Sequence, residues 1–194
     1  MGSLRELAVR LADYENPRSL GSWLRRRRLA PLLALLRRVH ARHGAVKVLD
    51  VGGTREYWSI VPDAVWNECR MHVSVLNLPG MGGGKDDERF RFLVGDGCDL
   101  SGIEARSFHL AHSNSALEHV GEWPRMAAFA SELRRVADSY YVQTPYFWSP
   151  IEPHFMWPFF HWLPIQLRAR RLMTTDRGQY DRRRDTGEAV RRVE

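Results

Sequence analysis

The run Lys47-Val48-Leu49-Asp50-Val51-Gly52-Gly53-Thr54 constrains the fold of this chain more than any other. An apolar stretch of strand length meets a carboxylate and then two adjacent glycines, before the chain turns into a new segment. Glycine at such a turn removes the side chain that would keep a ligand from the backbone, and it accommodates positive φ. This is how α/β folds build a nucleotide-sized cradle at the end of their first strand. Such a cradle needs partners from the strands that follow.

The rhythm of the chain supplies candidates. Residues 46–51 read as a first strand, 72–78 as a second closed by Pro79-Gly80, and 90–94 as a third ending at Gly95-Asp96-Gly97. Residues 108–112 read as a fourth strand, followed by Ser113-Asn114-Ser115 and a helix through His119. Pro124 opens another helix with Met126, Ala130, Leu133 and Val136 on one side, and 139–144 read as a fifth strand stopped by Pro145. Strands alternating with helices at this spacing predict an α/β fold with a doubly wound, mostly parallel sheet. Ahead of it, residues 1–44 read as an N-terminal helical arm. Pro17 breaks its first part, and Pro31 stands where a second helix can begin without losing a useful donor. Leu32, Leu35, Leu36 and Val39 then follow at helical spacing, and Gly44 ends that helix. The expected organisation is arm 1–44, α/β core 45–145, and an aromatic and arginine-rich segment 146–194.

Composition sets the outer limits. At 194 residues and 44% hydrophobic, the chain can bury one real core and is short for two. Its net charge is +6, yet Lys47 and Lys85 are the only lysines. A general bias towards arginine explains this more simply than a nucleic-acid surface, because arginines and aromatics do not interleave along one face. Cys69 and Cys98 lie far apart and make no metal-ligand spacing. No apolar run reaches the roughly 18 residues of a membrane span and the start carries no apolar signal core, so the expected compartment is the cytoplasm.

In open parallel sheets, ligands bind outside the carboxyl ends of the strands. Those ends carry Asp50, Gly52 and Gly53, then Asn77, then Asp96, then the Ser113-Asn114-Ser115 turn. Each alone is also a plausible turn residue. Four in succession favour a cofactor site.

Leu49-Asp50-Val51-Gly52-Gly53, Leu76-Asn77-Leu78, Val94-Gly95-Asp96-Gly97 and the run from His112 to Val120 (His-Ser-Asn-Ser-Ala-Leu-Glu-His-Val) resemble, in order and spacing, the motifs of class I S-adenosylmethionine-dependent methyltransferases, in their small-molecule, type 11-like branch. The likeness covers residues 45–150. It implies S-adenosyl-L-methionine as cofactor. Asp50 would sit near its amino group, and Gly52, Gly53 and Thr54 would let the backbone approach. Asn77 would address the ribose, Leu78 the adenine face, Asp96 the adenine amine with Gly97 beside it, and Asn114 the reaction-side edge. Two departures stand out. The family usually has Asp or Glu where Asn77 stands, and Thr54-Arg55 replace a further glycine. A dinucleotide site would need Gly-x-Gly-x-x-Gly, which is absent.

Methyl transfer from a sulfonium is an in-line displacement whose main requirement is alignment. A hydroxyl acceptor also needs a base; His119, His154 and His161 all fall after strand ends, and His119 and His154 are the candidates, His154 lying in the segment most suited to touch substrate. That segment, 146–164, is dense in aromatics and broken by prolines. It reads as a packed lid, as an apolar acceptor pocket, or as a surface contacting a membrane. The methyltransferase fold usually ends in an antiparallel hairpin after the fifth strand, and no such hairpin is visible here. After Pro164 come an arginine-rich helix over 165–173 and a polar tail. A shortened chain, a natural short form completed by a dimer or partner chain at the sheet edge, and a non-catalytic relative are the competing expectations. The leading functional expectation is methyl transfer to a small molecule, at an oxygen of an apolar or glycosylated metabolite. A cofactor-binding scaffold comes second, and an RNA methyltransferase third.

Overall fold

The computed structural model describes residues 20–81, 83–144, 151–152 and 157–174. The chain divides after Gln143 into two compact units. In the first, the elements are α1 (Leu20–His43), β1 (Val46–Val51), α2 (Arg55–Trp58), α3 (Asp63–Glu68), β2 (Met71–Asn77), β3 (Phe90–Val94), β4 (Phe108–Asn114), a 3-10 turn (Leu117–His119), α4 (Trp123–Val136) and β5 (Ala137–Gln143). All five strands are parallel, in the order β3-β2-β1-β4-β5. This is a doubly wound, Rossmann-like α/β fold. Its strand order reverses between β1 and β4, the kind of switch point outside whose carboxyl ends open α/β sheets bind ligands.

Side chains alternate between the faces of a strand, and a parallel sheet is covered on both. Val46 and Val48 of β1 join Val73 and Val75 of β2 and Leu110 of β4 on one face, packed with Leu32, Leu36 and Val39 of α1, Trp58 of α2 and Trp66 of α3. Leu49 and Val51 point the other way, to Leu76, Ala111 and the buried Phe129, Leu133 and Val136 of α4. By the same parity Asp50 belongs to the first face, with the valines. That placement governs the site.

α1 corrects the expectation of a helix starting at Pro31. It begins by Leu20 and carries Pro31 inside. Proline there costs one intrahelical hydrogen bond, but Leu32, Leu36 and Val39 are buried at i, i+4 and i+7, and that face holds the helix on the sheet. Gly44, at φ +72°, closes the helix by donating its N–H to the His40 carbonyl. In α4 the buried positions are Phe129, Leu133 and Val136, while Ala130 is exposed, so the apolar stripe is rotated from the expected one. β4 runs on to Asn114, because Ser113 and Asn114 continue the ladder opposite Val142 and Gln143 of β5. β5 accordingly starts at Ala137. Its outward residues Tyr140 and Val142 are exposed at the edge of the sheet.

In the second unit β6 (Ile151–Glu152) pairs antiparallel with β7 (Trp157–Pro158), followed by a 3-10 turn (Phe160–Trp162) and α5 (Ile165–Thr174). This two-residue ladder is separate from the five-stranded sheet and does not extend it. Two residues per strand are too few to leave a periodic signal. Phe160, Ala169 and Leu172 are buried. Among the described residues no helix is long and apolar enough to cross a membrane.

Candidate cofactor site at the carboxyl ends of the strands

The loops leaving the strands are stitched to one another along the carboxyl edge. Gly52, at φ +77°, donates its N–H to Leu76 O (2.9 Å), and the Asn77 side-chain amide donates to Gly53 O (3.0 Å). Gly95 donates to Asn77 O, and Ser115 donates to Gln143 O, each at 2.9 Å. Ser113 Oγ, buried, donates to Val51 O (2.9 Å). Gly52, Gly53, Asn77 and Asn114 thus share one continuous rim. Thr54 caps α2, its hydroxyl accepting from Tyr57 N (3.3 Å). Leu78, just past β2, is exposed.

The glycines serve the interior as well as the rim. A Cβ on Gly52 would stand 2.5 Å from that of Ala116, and one on Gly53 would overlap the Asp50 carboxylate. A Cβ on Gly97 would press Val51 and the Phe129 ring, at 2.5 and 2.7 Å. Gly97 is therefore a packing glycine, buried under the turn after β3.

Asp50 does not present its charge to the rim. It is fully buried, and both of its oxygens are occupied. Trp58 Nε1 donates to Oδ2 and His112 Nδ1 meets Oδ1, each at 2.7 Å. The ladder explains the pair: Asp50 of β1 lies in register with His112 of β4, which lies in register with Tyr141 of β5, all on one face. His112 is also fully buried, its ring stacked with Tyr141 at 6.0 Å and its Nε2 3.1 Å from the Tyr57 hydroxyl. That hydroxyl lies 3.4 Å from Gln143 Oε1 at the end of β5. A lone buried carboxylate would be very costly, and two close donors offset that cost.

Asp96 stands at the next strand end. Its Oδ1 accepts from Cys98 N (2.9 Å) and its Oδ2 from the Arg125 guanidinium (2.8 Å). Arg125 holds the carboxyl below the usual aspartate range, and Asp96 in turn raises Arg125. The side chain keeps 37% of its surface exposed, so acceptor lone pairs remain available. Burial pushes the neighbouring Cys98 thiol up.

Of the two histidines expected as bases, His119 is an exposed residue of the 3-10 turn after β4, and His154 lies outside the described residues. Beside His119, both carboxylate oxygens of Glu118 are shielded from water and meet no donor among the described residues. An apolar cleft of about 470 Å³ lies between α4 and β5, lined in part by Leu117, Leu133, Tyr140 and Val142. Among the described residues no group of three His, Cys, Asp or Glu side chains could hold a metal ion.

The sequence reading missed Tyr57, Trp58, His112, Arg125 and Gln143. One signal was present: His112 is a polar ring in the middle of an apolar strand, opposite the acid of the glycine turn.

No family model and no curated protein matches this chain. Three solved structures are similar in fold. One is a candidate S-adenosyl-L-methionine-dependent methyltransferase from Methanococcus maripaludis, 18% identical over 58% of this chain and 55% of its own, with a TM-score of 0.39. A candidate type II methyltransferase from Anaeromyxobacter dehalogenans is 22% identical over 54% of this chain and 42% of its own, at 0.36. A candidate methyltransferase from an antibiotic biosynthesis pathway of Anabaena variabilis is 14% identical over 55% and 45%, also at 0.36. The chain spans about half the length of the solved chains it matches, and each likeness is one of fold.

Proposed function

We propose that this chain binds S-adenosylmethionine along the carboxyl rim of the sheet and directs methyl transfer to a small-molecule acceptor. The observation that carries the reading is the set of polar groups at successive strand ends, Gly52 and Gly53, Asn77, Asp96 and Asn114, in loops of which the first three are tied by the Gly52–Leu76, Asn77–Gly53 and Gly95–Asn77 hydrogen bonds. The donor set fits the group. With its Nδ2 spent on Gly53 O, Asn77 has its carbonyl oxygen to offer as an acceptor for a ribose hydroxyl. Asp96 retains acceptor capacity for an exocyclic amine. Asp50 acts from below: buried and paired, it shapes the glycine turn and carries no direct contact in this reading.

When bound, the cofactor supplies an electrophilic methyl group on a sulfonium. The protein's part is to orient it, to exclude water and to manage the acceptor's proton. Calorimetric titration with S-adenosylhomocysteine tests the reading. Wild-type protein is expected to bind, and Asp96→Ala to bind at least tenfold more weakly. Absence of binding heat in the wild type overturns it.

A further inference from the structure

We propose that Tyr57, His112 and Asp50 form a proton relay, in which Tyr57 is the group that takes the proton of a hydroxyl-bearing acceptor. The proposal rests on the methyl-transfer reading and names the class of its acceptor, an alcohol or phenol.

The relay is built by register. β1 and β4 set Asp50 beside His112, and the turn through Gly52, Gly53 and Thr54 brings α2 back over the same face, so that consecutive residues Tyr57 and Trp58 both reach the pair. Trp58 Nε1 holds Asp50 Oδ2, which leaves Oδ1 to His112 Nδ1. With its Nδ1 proton directed at Asp50, a neutral His112 ring presents Nε2 as an acceptor, and the Tyr57 hydroxyl lies 3.1 Å from it. The Tyr57 ring is held 4.8 Å from His112 and 5.6 Å from Trp58, which limits its freedom to turn away. Asp50 and His112 are fully buried, whereas Tyr57 is half-buried, with its hydroxyl also 3.4 Å from Gln143 at the carboxyl end of β5. Through the Tyr57 hydroxyl the buried dyad reaches the carboxyl edge of the sheet, where folds of this kind bind their ligands.

Packing alone does not require this arrangement. A Phe at 57 would fill the ring's place, and an apolar pair would cost less than a buried aspartate and histidine. The balanced step is as follows. As the acceptor oxygen forms its bond to the methyl carbon, its O–H bond breaks and the proton passes to the Tyr57 oxygen. The Tyr57 proton moves to His112 Nε2, and the resulting imidazolium lies against the Asp50 carboxylate. The electron pair of the broken carbon–sulfur bond stays on the sulfur of the methyl-sulfonium donor.

The histidine nitrogen spectrum of Tyr57→Phe, compared with that of the wild type, reads the contact without any cofactor. His112 Nε2 is expected to move towards the value of an unbonded imidazole, and an unchanged resonance counts against the relay. With labelled donor and a phenol probe, Tyr57→Phe is expected to lower kcat about 100-fold with KM unchanged, the range of a lost acid–base group. Equal rates overturn the proton-accepting role. Binding of S-adenosylhomocysteine, measured alongside, separates the two readings: a moved His112 resonance in a protein that binds no cofactor removes methyl transfer and leaves the relay.

Discussion

Gly53 has its α-hydrogen directed at the Asp50 carboxylate, so a methyl group there would overlap the oxygens that Trp58 and His112 bind. Gly53→Ala is therefore expected to cost about 3 kcal/mol or more, as disruption of a buried charged network does. Gly80→Ala, at φ +76° with open space around it, should cost only the left-handed backbone penalty of about 1–2 kcal/mol. Urea denaturation of the two variants checks the contrast, and equal losses would mean that the carboxylate tolerates displacement. Trp58→Phe keeps the ring packing but strips the donor from Asp50 Oδ2, with an expected loss of about 1–3 kcal/mol by the same measurement. At this scale the glycine pair and the polar strand ends were legible, because turn chemistry is local. The destination of Asp50 was not. Its parity with Val46 and Val48 can be read from the sequence, but its register with His112 depends on which strands become neighbours.

Among the elements, α1 breaks the local rule most clearly. Pro31 reads as a first-turn proline, and it instead sits eleven residues into a helix. Local propensity argues for an interruption, whereas the buried stripe of Leu32, Leu36 and Val39 keeps the helix on the sheet. Pro31 itself is exposed, so Pro31→Ala should restore a hydrogen bond without disturbing the core. The expected gain is about 1–3 kcal/mol, seen as a raised thermal midpoint, and a lowered midpoint would contradict it. All five core strands were readable because buried parallel strands are apolar runs bounded by turns. Their ends shifted by up to two residues, as in β4, where ladder pairing at Ser113 and Asn114 outlasts the apolar pattern. The β6–β7 pair was invisible for the opposite reason, being too short to carry any pattern.

For the whole molecule, acid titration follows from the pairs that tie loops to helices. Arg125 lowers Asp96, Arg55 lowers Asp87, Arg135 lowers Glu132, and the Ser101 side chain lowers Asp99. A carboxyl whose folded pKa lies below its unfolded value stabilises fully above the unfolded range of about 3.9–4.3, and loses that contribution as pH falls through the folded value. Burial depresses His109 in the same sense, so its contribution is present above about pH 6.5 and shrinks below it. The thermal midpoint should therefore be level from neutrality to about pH 8, dip slightly below about pH 6.5, and drop steeply below about pH 4. A midpoint that rises on acidification would contradict these pairings. The proposed cofactor site lies on the rim rather than in the core, at the carboxyl ends of β1 to β4. Amide chemical-shift mapping during titration with S-adenosylhomocysteine tests it. Saturable shifts concentrated at Gly52, Gly53, Asn77, Asp96, Gly97 and Asn114 are expected. Shifts absent at saturating ligand, or gathered at the opposite ends of the strands, would contradict it.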